Sequence, residues 1–337
     1  MKSLLYVGNK LSSYGFTPGV IETLGPLLEM EGYRVYYAGT CKNQAARLIE
    51  IIIKTVFFGQ RVDYILIDTY STNAFWYSYF TGLAARLTKT KYIPILHGGN
   101  LPLRLKKSKR ACDSLFLNSY TNVAVSGYLS HEFKKAGYRN VTIPNSINIS
   151  QYPFRLRKQP RPKLLWVRSF HRQYNPNMAA DVLKELLKIY PEAELCMVGP
   201  DKDGSMEKFG NYVNTLGISD HVKIPGLLKK EEWIKLSQDY DFFINTTNVD
   251  NTPVSVIEAM ALGLTVISTD PGGIPFLLTN DIDSVIVQRG DVCSMAAEIE
   301  ELIKNPGKVG ELSKAGRKKA EVFDHIQTIM QWRNLLV

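Results

Sequence analysis

The stretch Asn245-Thr-Thr-Asn-Val-Asp250-Asn-Thr-Pro253-Val-Ser-Val-Ile-Glu258-Ala-Met-Ala-Leu-Gly263 reads as a strand end, a polar loop and a helix. The apolar run 242–244 precedes it. Pro253 suits the first turn of a helix, where its missing N–H costs nothing. Asp250 falls in the loop, and Glu258 about one and a half turns into the helix at ~3.6 residues per turn. Both carboxylates can therefore approach a ligand held at the carboxyl end of the strand. Backbone N–H groups between Thr252 and Ser255 suit an anionic or hydroxyl-rich ligand. Glu258 lies among Val254, Val256, Ile257, Ala259, Met260 and Ala261. A carboxylate so surrounded needs a partner. A capping Asp and a salt-bridged Glu are the plain structural alternative, since structural ion pairs are common.

Outward from this stretch the same alternation fills the chain. Short apolar runs at 164–167, 194–198, 222–224, 242–244, 265–268 and 284–287 alternate with amphipathic segments at 178–187, 231–237, 254–262 and 292–304. The first half repeats the pattern, with runs at 3–7, 34–37, 64–67, 92–96, 123–125 and 141–143 and helical segments at 21–30 and 74–87. Strands alternating with helices predict α/β architecture with parallel sheets. The segment 149–163 is rich in Pro and basic residues and lacks periodicity, so it reads as a solvated linker. Two Rossmann-like domains follow, 1–148 and 149–322. In open α/β sheets ligands bind beyond the carboxyl ends of the strands. Two such edges facing each other across a cleft would take one substrate each.

The bulk properties bound the partners. With 337 residues, two domains are the natural expectation. A net charge of +9 favours nucleic acid, acidic lipid head groups or phosphorylated substrates. The basic residues fall into no RRM, KH or helix-turn-helix signature, so nucleic acid is not expected. Cys41, Cys112, Cys196 and Cys293 lie far apart with no C-x-x-C pair. They read as small buried thiols of a reduced protein rather than a zinc site. The longest apolar stretch, 48–59, is broken by Glu50 and Lys54, and the N-terminal apolar run is too short for a signal peptide. A cytoplasmic protein is expected, with the inner membrane face open to it.

Five further groups are candidates for chemistry. In Trp166-Val-Arg168-Ser-Phe-His-Arg172, Arg168 follows a strand, where a guanidinium can grip phosphate oxygens. Pro94-Ile-Leu-His97-Gly98-Gly99 ends a strand at a histidine, and its glycines allow close backbone approach. Asp68, ending the preceding strand, can orient His97 or bind an acceptor. The loop Asn9-Lys-Leu-Ser-Ser-Tyr-Gly15-Phe-Thr-Pro-Gly19 joins strand to helix but is no G-x-G-x-x-G fingerprint. Gly199 and the pair Gly226 and Leu227 follow strands, where ordinary turns explain them equally well. The cluster Arg104-Leu-Lys106-Lys107-Ser-Lys109-Arg110 can meet anionic lipid or an acidic acceptor, or form a solvated face.

An acidic residue, seven intervening residues, then Glu-Ala-Met-Ala-x-Gly resembles the motif of the retaining glycosyltransferases of family 4, often called glycosyl transferases group 1. Thr265-Val-Ile-Ser-Thr-Asp-Pro-Gly-Gly-Ile-Pro is similar to that family's next strand and Gly-rich turn. Ser284-Val-Ile-Val-Gln-Arg-Gly-Asp291 and Pro144-Asn-Ser-Ile-Asn148 resemble two further family segments, the latter with Ser146 in a Gly place. The resemblance implies the GT-B fold and a nucleotide-diphosphate-sugar donor, UDP- or GDP-linked. Glu258 would bond the ribose hydroxyls, and Asp250, where the family more often has Glu, would lie near the donor sugar or leaving group. Thr252, Pro253, Val254 and Ser255 would meet the diphosphate or sugar. Arg168 would neutralise the diphosphate. The family's following Lys is missing, and Arg172 is the candidate replacement. Gly15 and Gly19 would face the donor phosphates or the acceptor, His97 the donor sugar, and Gly199, Gly226 and Leu227 the base. Asp68, Gly98 and Gly99 would lie on the acceptor side. The last helix, 323–337, would cross back to the first domain through Trp332, Leu335 and Leu336.

The activity implied is retaining transfer to a glycan, lipid-linked or small-molecule acceptor, in bacterial surface polysaccharide or glycoconjugate synthesis. No cofactor is expected. The first domain has no Asp-x-Asp pair at a strand end to hold a divalent metal, as Asp68 is followed by Thr69 and Tyr70. A nucleotide-sugar epimerase on the same fold is the main rival, and a non-catalytic nucleotide-sugar-binding protein the other.

Overall fold

A computed structural model describes residues 1–16 and 18–337. Thr17, inside the first candidate loop, lies outside the described residues. The chain divides into one unit of Met1–Asn145 with His325–Val337, and a second of Ser146–Asp324.

The first unit is built on a six-stranded parallel sheet in the order β2-β1-β3-β4-β5-β6. Its strands are β1 (Ser3–Val7), β2 (Arg34–Ala38), β3 (Tyr64–Thr69), β4 (Lys91–Leu96), β5 (Asn122–Ala124) and β6 (Asn140–Thr142). Between them run α1 (Ile21–Met30), α2 (Gln44–Gly59), α3 (Phe75–Leu87), α4 (Leu101–Lys107), α5 (Lys109–Phe116) and α6 (Gly127–Lys135). Both faces of the sheet are covered, so β3 is buried along its whole length and reads as a continuous apolar run. The chain moves from β1 to one neighbour, then back past β1 to β3. Right-handed crossovers therefore put α1 and α2 on opposite faces, and strand order reverses between β1 and β3.

The second unit repeats the plan with the order β12-β11-β10-β7-β8-β9. Its strands are β7 (Lys163–Val167), β8 (Glu194–Val198), β9 (Val222–Gly226), β10 (Phe242–Asn245), β11 (Thr265–Thr269) and β12 (Val285–Val287). Its helices are α7 (Pro176–Leu187), α8 (Ser205–Leu216), α9 (Lys230–Leu236), α10 (Val254–Ala261), α11 (Ile274–Leu277), α12 (Val292–Lys304) and α13 (Pro306–Glu321). Here the order reverses between β7 and β10. Such switch points, where connections leave in opposite directions, are where open α/β sheets leave a crevice.

The last helix, α14 (His325–Leu335), returns to the first unit. Ile329, Trp332 and Leu336 are buried in that unit's core, and Leu335 packs against it.

Two local expectations are corrected. The segment 149–163 is no solvated linker: Tyr152 and Arg157 are both 1% exposed. Arg157 donates to the carbonyls of Arg155, Ser237, Tyr240 and Leu262, which replace its hydration. Burial, with Arg155 beside it, brings its pKa down to about 10. The thiols are not uniformly buried either, since Cys293 is exposed in the first turn of α12. The apolar stretch 48–59 lies in α2, which turns Arg47, Ile51, Thr55 and Gly59 inward, and no helix of the described residues is long and apolar enough to cross a membrane.

Candidate functional site

In the second unit the switch point is lined by loops that follow β7, β10 and β11. Arg168 is the first residue after β7. Its Nη2 donates to Asp250 Oδ2 at 2.5 Å, and its guanidinium lies 3.9 Å from the Tyr174 ring centroid. Its Nε is buried without a hydrogen-bond partner. Burial pushes the Asp250 carboxyl up, against the pull of the Arg168 charge and the Asn251 N–H.

The Asp250 loop is held from both sides. Gln173 Nε2 donates to the Val249 carbonyl at 2.9 Å, and Asn248 N–H to the Gln173 carbonyl at 2.8 Å. Gly273 N–H donates to the Asp250 carbonyl at 3.0 Å. The approach of the β11 loop requires glycine, because a Cβ on Gly273 would stand 1.8 Å from the Asn251 carbonyl oxygen. Gly199 has the same role behind Arg168: its φ is +150°, and a Cβ would lie 1.8 Å from the Arg168 carbonyl oxygen. Gly199 N–H in turn donates to Gly226 O at 2.9 Å, and Leu227 beyond it is exposed.

Glu258 is 6% exposed on α10. Its Oε1 accepts from Tyr152 Oη at 2.6 Å and pairs with Lys230 Nζ at 2.9 Å. The partner that an apolar helix demands is thus doubled. Burial, reinforced by the Glu258 charge, holds the Tyr152 phenol far above its ordinary pKa, so it stays a donor. Pro253 is the residue capping α10 rather than a member of its first turn, and Thr252 lies before the cap. Proline carries no N–H, so the donors free of the helix ladder at this end are Val254 and Ser255, a shorter set than Thr252–Ser255. The Ser255 hydroxyl is buried without a partner.

Arg172 meets the Asp250 loop through its backbone, its carbonyl accepting from Asn248 Nδ2 at 3.4 Å. It is exposed and borders a cavity of about 430 Å³ with His171, Asn175, Asp203 and Lys208.

In the first unit, Asp68 and His97 end adjacent strands and are 4% and 5% exposed. His97 Nε2 lies 2.9 Å from Asp68 Oδ1, which also accepts from Tyr6 Oη at 3.1 Å. Tyr70 stacks on the imidazole, centroids 5.2 Å apart. Asp68 Oδ2 has no hydrogen-bond partner and faces Gly8 across the switch point, where a Cβ would lie 2.5 Å away. Gly98 turns the chain after His97 with φ +91°, followed by Gly99. Gly15 ends a short 3-10 turn and is open to solvent, while Glu22 accepts from the N–H groups of Ser12 and Gly19 and fastens the loop. The basic cluster is not one patch: Arg104 turns inward, donating to the Ser71 and Thr72 carbonyls and lying over Phe75.

Sequence reasoning missed Tyr152, Lys230 and Tyr6, none of which falls in a candidate motif. Gln173 and Tyr174 belong to the stretch that opens at Trp166, but their contacts with the Asp250 loop and with Arg168 could not be read from it. Lys230 sits in a run of charged residues that looks like solvated surface, and Tyr152 comes from the supposed linker. Among the described residues no group of three or more His, Cys, Asp or Glu is arranged to hold a metal ion.

Two parallel six-stranded sheets, each with a polar cluster at its switch point, define the two-Rossmann-domain class, GT-B. The family model for glycosyl transferases group 1 matches residues 149–319, and the chain belongs to that family. A curated relative, the amylovoran biosynthesis glycosyltransferase AmsK of Erwinia amylovora, is 23% identical over 255 residues. That match covers 70% of this chain and 61% of the Erwinia protein. Spore coat protein SA of Bacillus subtilis is 22% identical over 292 residues, covering 72% of this chain and 77% of its own length. Among solved structures, Anabaena HepE in complex with UDP superposes with a TM-score of 0.79 at 16% identity, over 100% of this chain and 99% of HepE. Sucrose-phosphate synthase from Thermosynechococcus elongatus gives 0.80 at 14% identity, over 99% and 98%.

Proposed function

We propose that this protein is a retaining glycosyltransferase that moves a sugar from a nucleotide-diphosphate sugar to a glycan, lipid-linked or small-molecule acceptor. The observation that carries the reading is Arg168, Asp250 and Glu258 around the switch point of the second sheet, in a chain of this family. HepE, of the same fold, has been solved with UDP and with UDP-glucose, which supports a nucleotide-sugar donor here. The AmsK name supports a place in bacterial surface polysaccharide synthesis.

In this reading the second unit holds the donor and the first the acceptor. Glu258 accepts from the ribose hydroxyls. Arg168 leaves Asp250 for the diphosphate, and its orphaned Nε gains an acceptor there. The N–H groups of Val254 and Ser255 point at the same charge. During transfer the bond from the anomeric carbon to the phosphate oxygen breaks, and one to the acceptor oxygen forms on the same face. The acceptor proton passes to the leaving phosphate. Negative charge grows on that leaving group, so cations and helix N–H donors fixed before reaction lower the barrier. Asp250, released from Arg168, orients the donor sugar, with His97 held by Asp68 on the acceptor side.

In this reading Arg168 and the Val254 and Ser255 N–H groups carry the charge that a divalent metal would otherwise neutralise. The test combines a thermal-shift screen of nucleoside diphosphates and their sugars with a transfer assay in excess EDTA. A ligand that binds the native state raises Tm by mass action. We expect one nucleoside diphosphate to stabilise the protein, the product anomer to keep the donor's configuration, and EDTA to leave the rate unchanged. Conversion of the donor without acceptor would identify an epimerase instead. Nucleotide binding with no turnover of any kind would identify a binding protein.

A further inference from the structure

Helix α2 carries apolar residues on its water-facing side as well as on the side that meets the core. A surface helix ordinarily turns its apolar stripe inward and its polar face out. Here Arg47, Thr55 and Gly59 face inward with Ile51, and Arg47 is fully occupied by Asn9 and by the Cys41 and Lys42 carbonyls. Outward stand Ile49, Ile53, Val56 and Phe57, 58%, 61%, 53% and 55% exposed. Single exposed apolar residues are ordinary. These four, however, fall at i, i+4, i+7 and i+8 and form one stripe.

Helix α3 packs beside α2 and extends the face. Its Trp76, Phe80 and Leu87 repeat the spacing i, i+4, i+11 and are all exposed. The Trp76 and Phe80 rings lie 6.5 Å apart, with Tyr79 against both.

Charge around this face is predominantly positive. Between Asp68 and Asp113 the chain has no acidic residue and eight Lys or Arg. The acid of α2, Glu50, is withdrawn, accepting from Lys54 and from the N–H groups of Thr40 and Cys41. Arg61 lies over the Phe57 ring at 4.2 Å. Where α2 and α3 end together, an open cavity of about 480 Å³ is lined by Lys2, Lys89 and Lys91 against a single acidic side chain, Asp63, whose carboxylate accepts from the Ser3 N–H.

We propose that the outer face of α2 and α3 docks on an anionic lipid bilayer. Ile49, Ile53, Val56, Phe57, Trp76 and Phe80 enter the boundary of the acyl chains, while Arg61, Lys89 and Lys91 meet lipid phosphates. Apolar stripe, interfacial aromatics and cationic border are the combination by which interfacial helices bind such membranes. A second copy of this chain would set two cationic borders against each other, and like charges oppose that contact. The inference is independent of the glycosyl transfer reading.

The test uses the whole chain and sucrose-loaded vesicles, either equal parts phosphatidylglycerol and phosphatidylcholine or phosphatidylcholine alone. Trp166, Trp233 and Trp332 are buried, so bromine-labelled acyl chains would quench Trp76 selectively. The protein should sediment with the anionic vesicles only, with its fluorescence quenched. A double variant, Ile53→Glu with Phe57→Glu, should lower the bound fraction at least about tenfold while keeping its circular dichroism and Tm. Equal sedimentation of this variant, or no binding by the parent at low ionic strength, would overturn the proposal. So would sedimentation equilibrium showing a dimer that the variant splits.

Discussion

Arg168 and Asp250 are each other's closest charged partner, yet the proposed chemistry needs Arg168 free for phosphate. Breaking that pair costs part of the donor's binding energy, and the growing charge on the leaving group returns it only at the transition state. Arg168→Ala should therefore lower kcat more than it raises KM, because only interactions stronger in the transition state accelerate chemistry. Steady-state kinetics check this, and a raised KM with unchanged kcat would reduce Arg168 to a ground-state contact. Arg172→Ala should do much less, since Arg172 borders a different cavity. Glu258 differs in being held rather than engaged. Tyr152 and Lys230 fix its Oε1 and leave Oε2 outside both bonds. Glu258→Ala should cost about 1.5–3 kcal/mol of donor affinity by calorimetry, the scale of charge-assisted hydrogen bonds. Unchanged affinity in a folded variant would remove Glu258 from the site.

At the scale of elements, the loops after β10 and β11 are a single object. Gly273 lets one lie on the other, and no substitute fits because the obstructing atom is backbone. Gly273→Ala must push the Asp250 loop away. We expect a loss of about 1–3 kcal/mol in urea unfolding together with a large drop in kcat. Retention of full activity would show that the loop has room to spare. This contact was half legible. The sequence shows a Gly-rich turn after β11 but not what it touches. All twelve strands could be read: interior strands such as β3 and β10, buried along their length, leave continuous apolar runs, while the exposed edge strands β6 and β9 show only short β-branched stretches between turn signals. What resisted reading depended on contacts between distant residues. Arg168 meets Asp250 across 82 positions and Tyr152 meets Glu258 across 106. Periodicity carries no record of such pairs. Helix α2 resisted for another reason, since its apolar residues are outward as well as inward and blur the period.

At the scale of the molecule, two carboxylates make the stability of the units depend on acid. Glu50 in the first loses solvation, which opposes ionisation, but bonds from Lys54, Cys41 and Thr40 outweigh this and bring its pKa to about 2. Glu194 in the second reaches about 2 likewise, burial being overcome by Tyr240, Lys223 and Lys163. A pKa lowered on folding adds stability that is complete above the unfolded value and lost as pH falls through the folded one. Stability should thus decline from about pH 4.5 towards pH 2. Glu50→Gln and Glu194→Gln should each flatten that decline in denaturant titrations across the window. An unchanged slope in both would assign the acid response to other groups.

The second unit is an insertion: the chain leaves the first unit at Asn145 and re-enters it at His325. The Ile147 N–H to Phe323 carbonyl bond, 2.9 Å, clasps the two ends of the insert. Tension applied at Met1 and Val337 therefore runs first through β1, α14 and the core they share. The inserted unit carries no load until α14 peels away. Mechanical failure is sequential by construction, with the half that holds His97 yielding while the half that holds Glu258 stays intact.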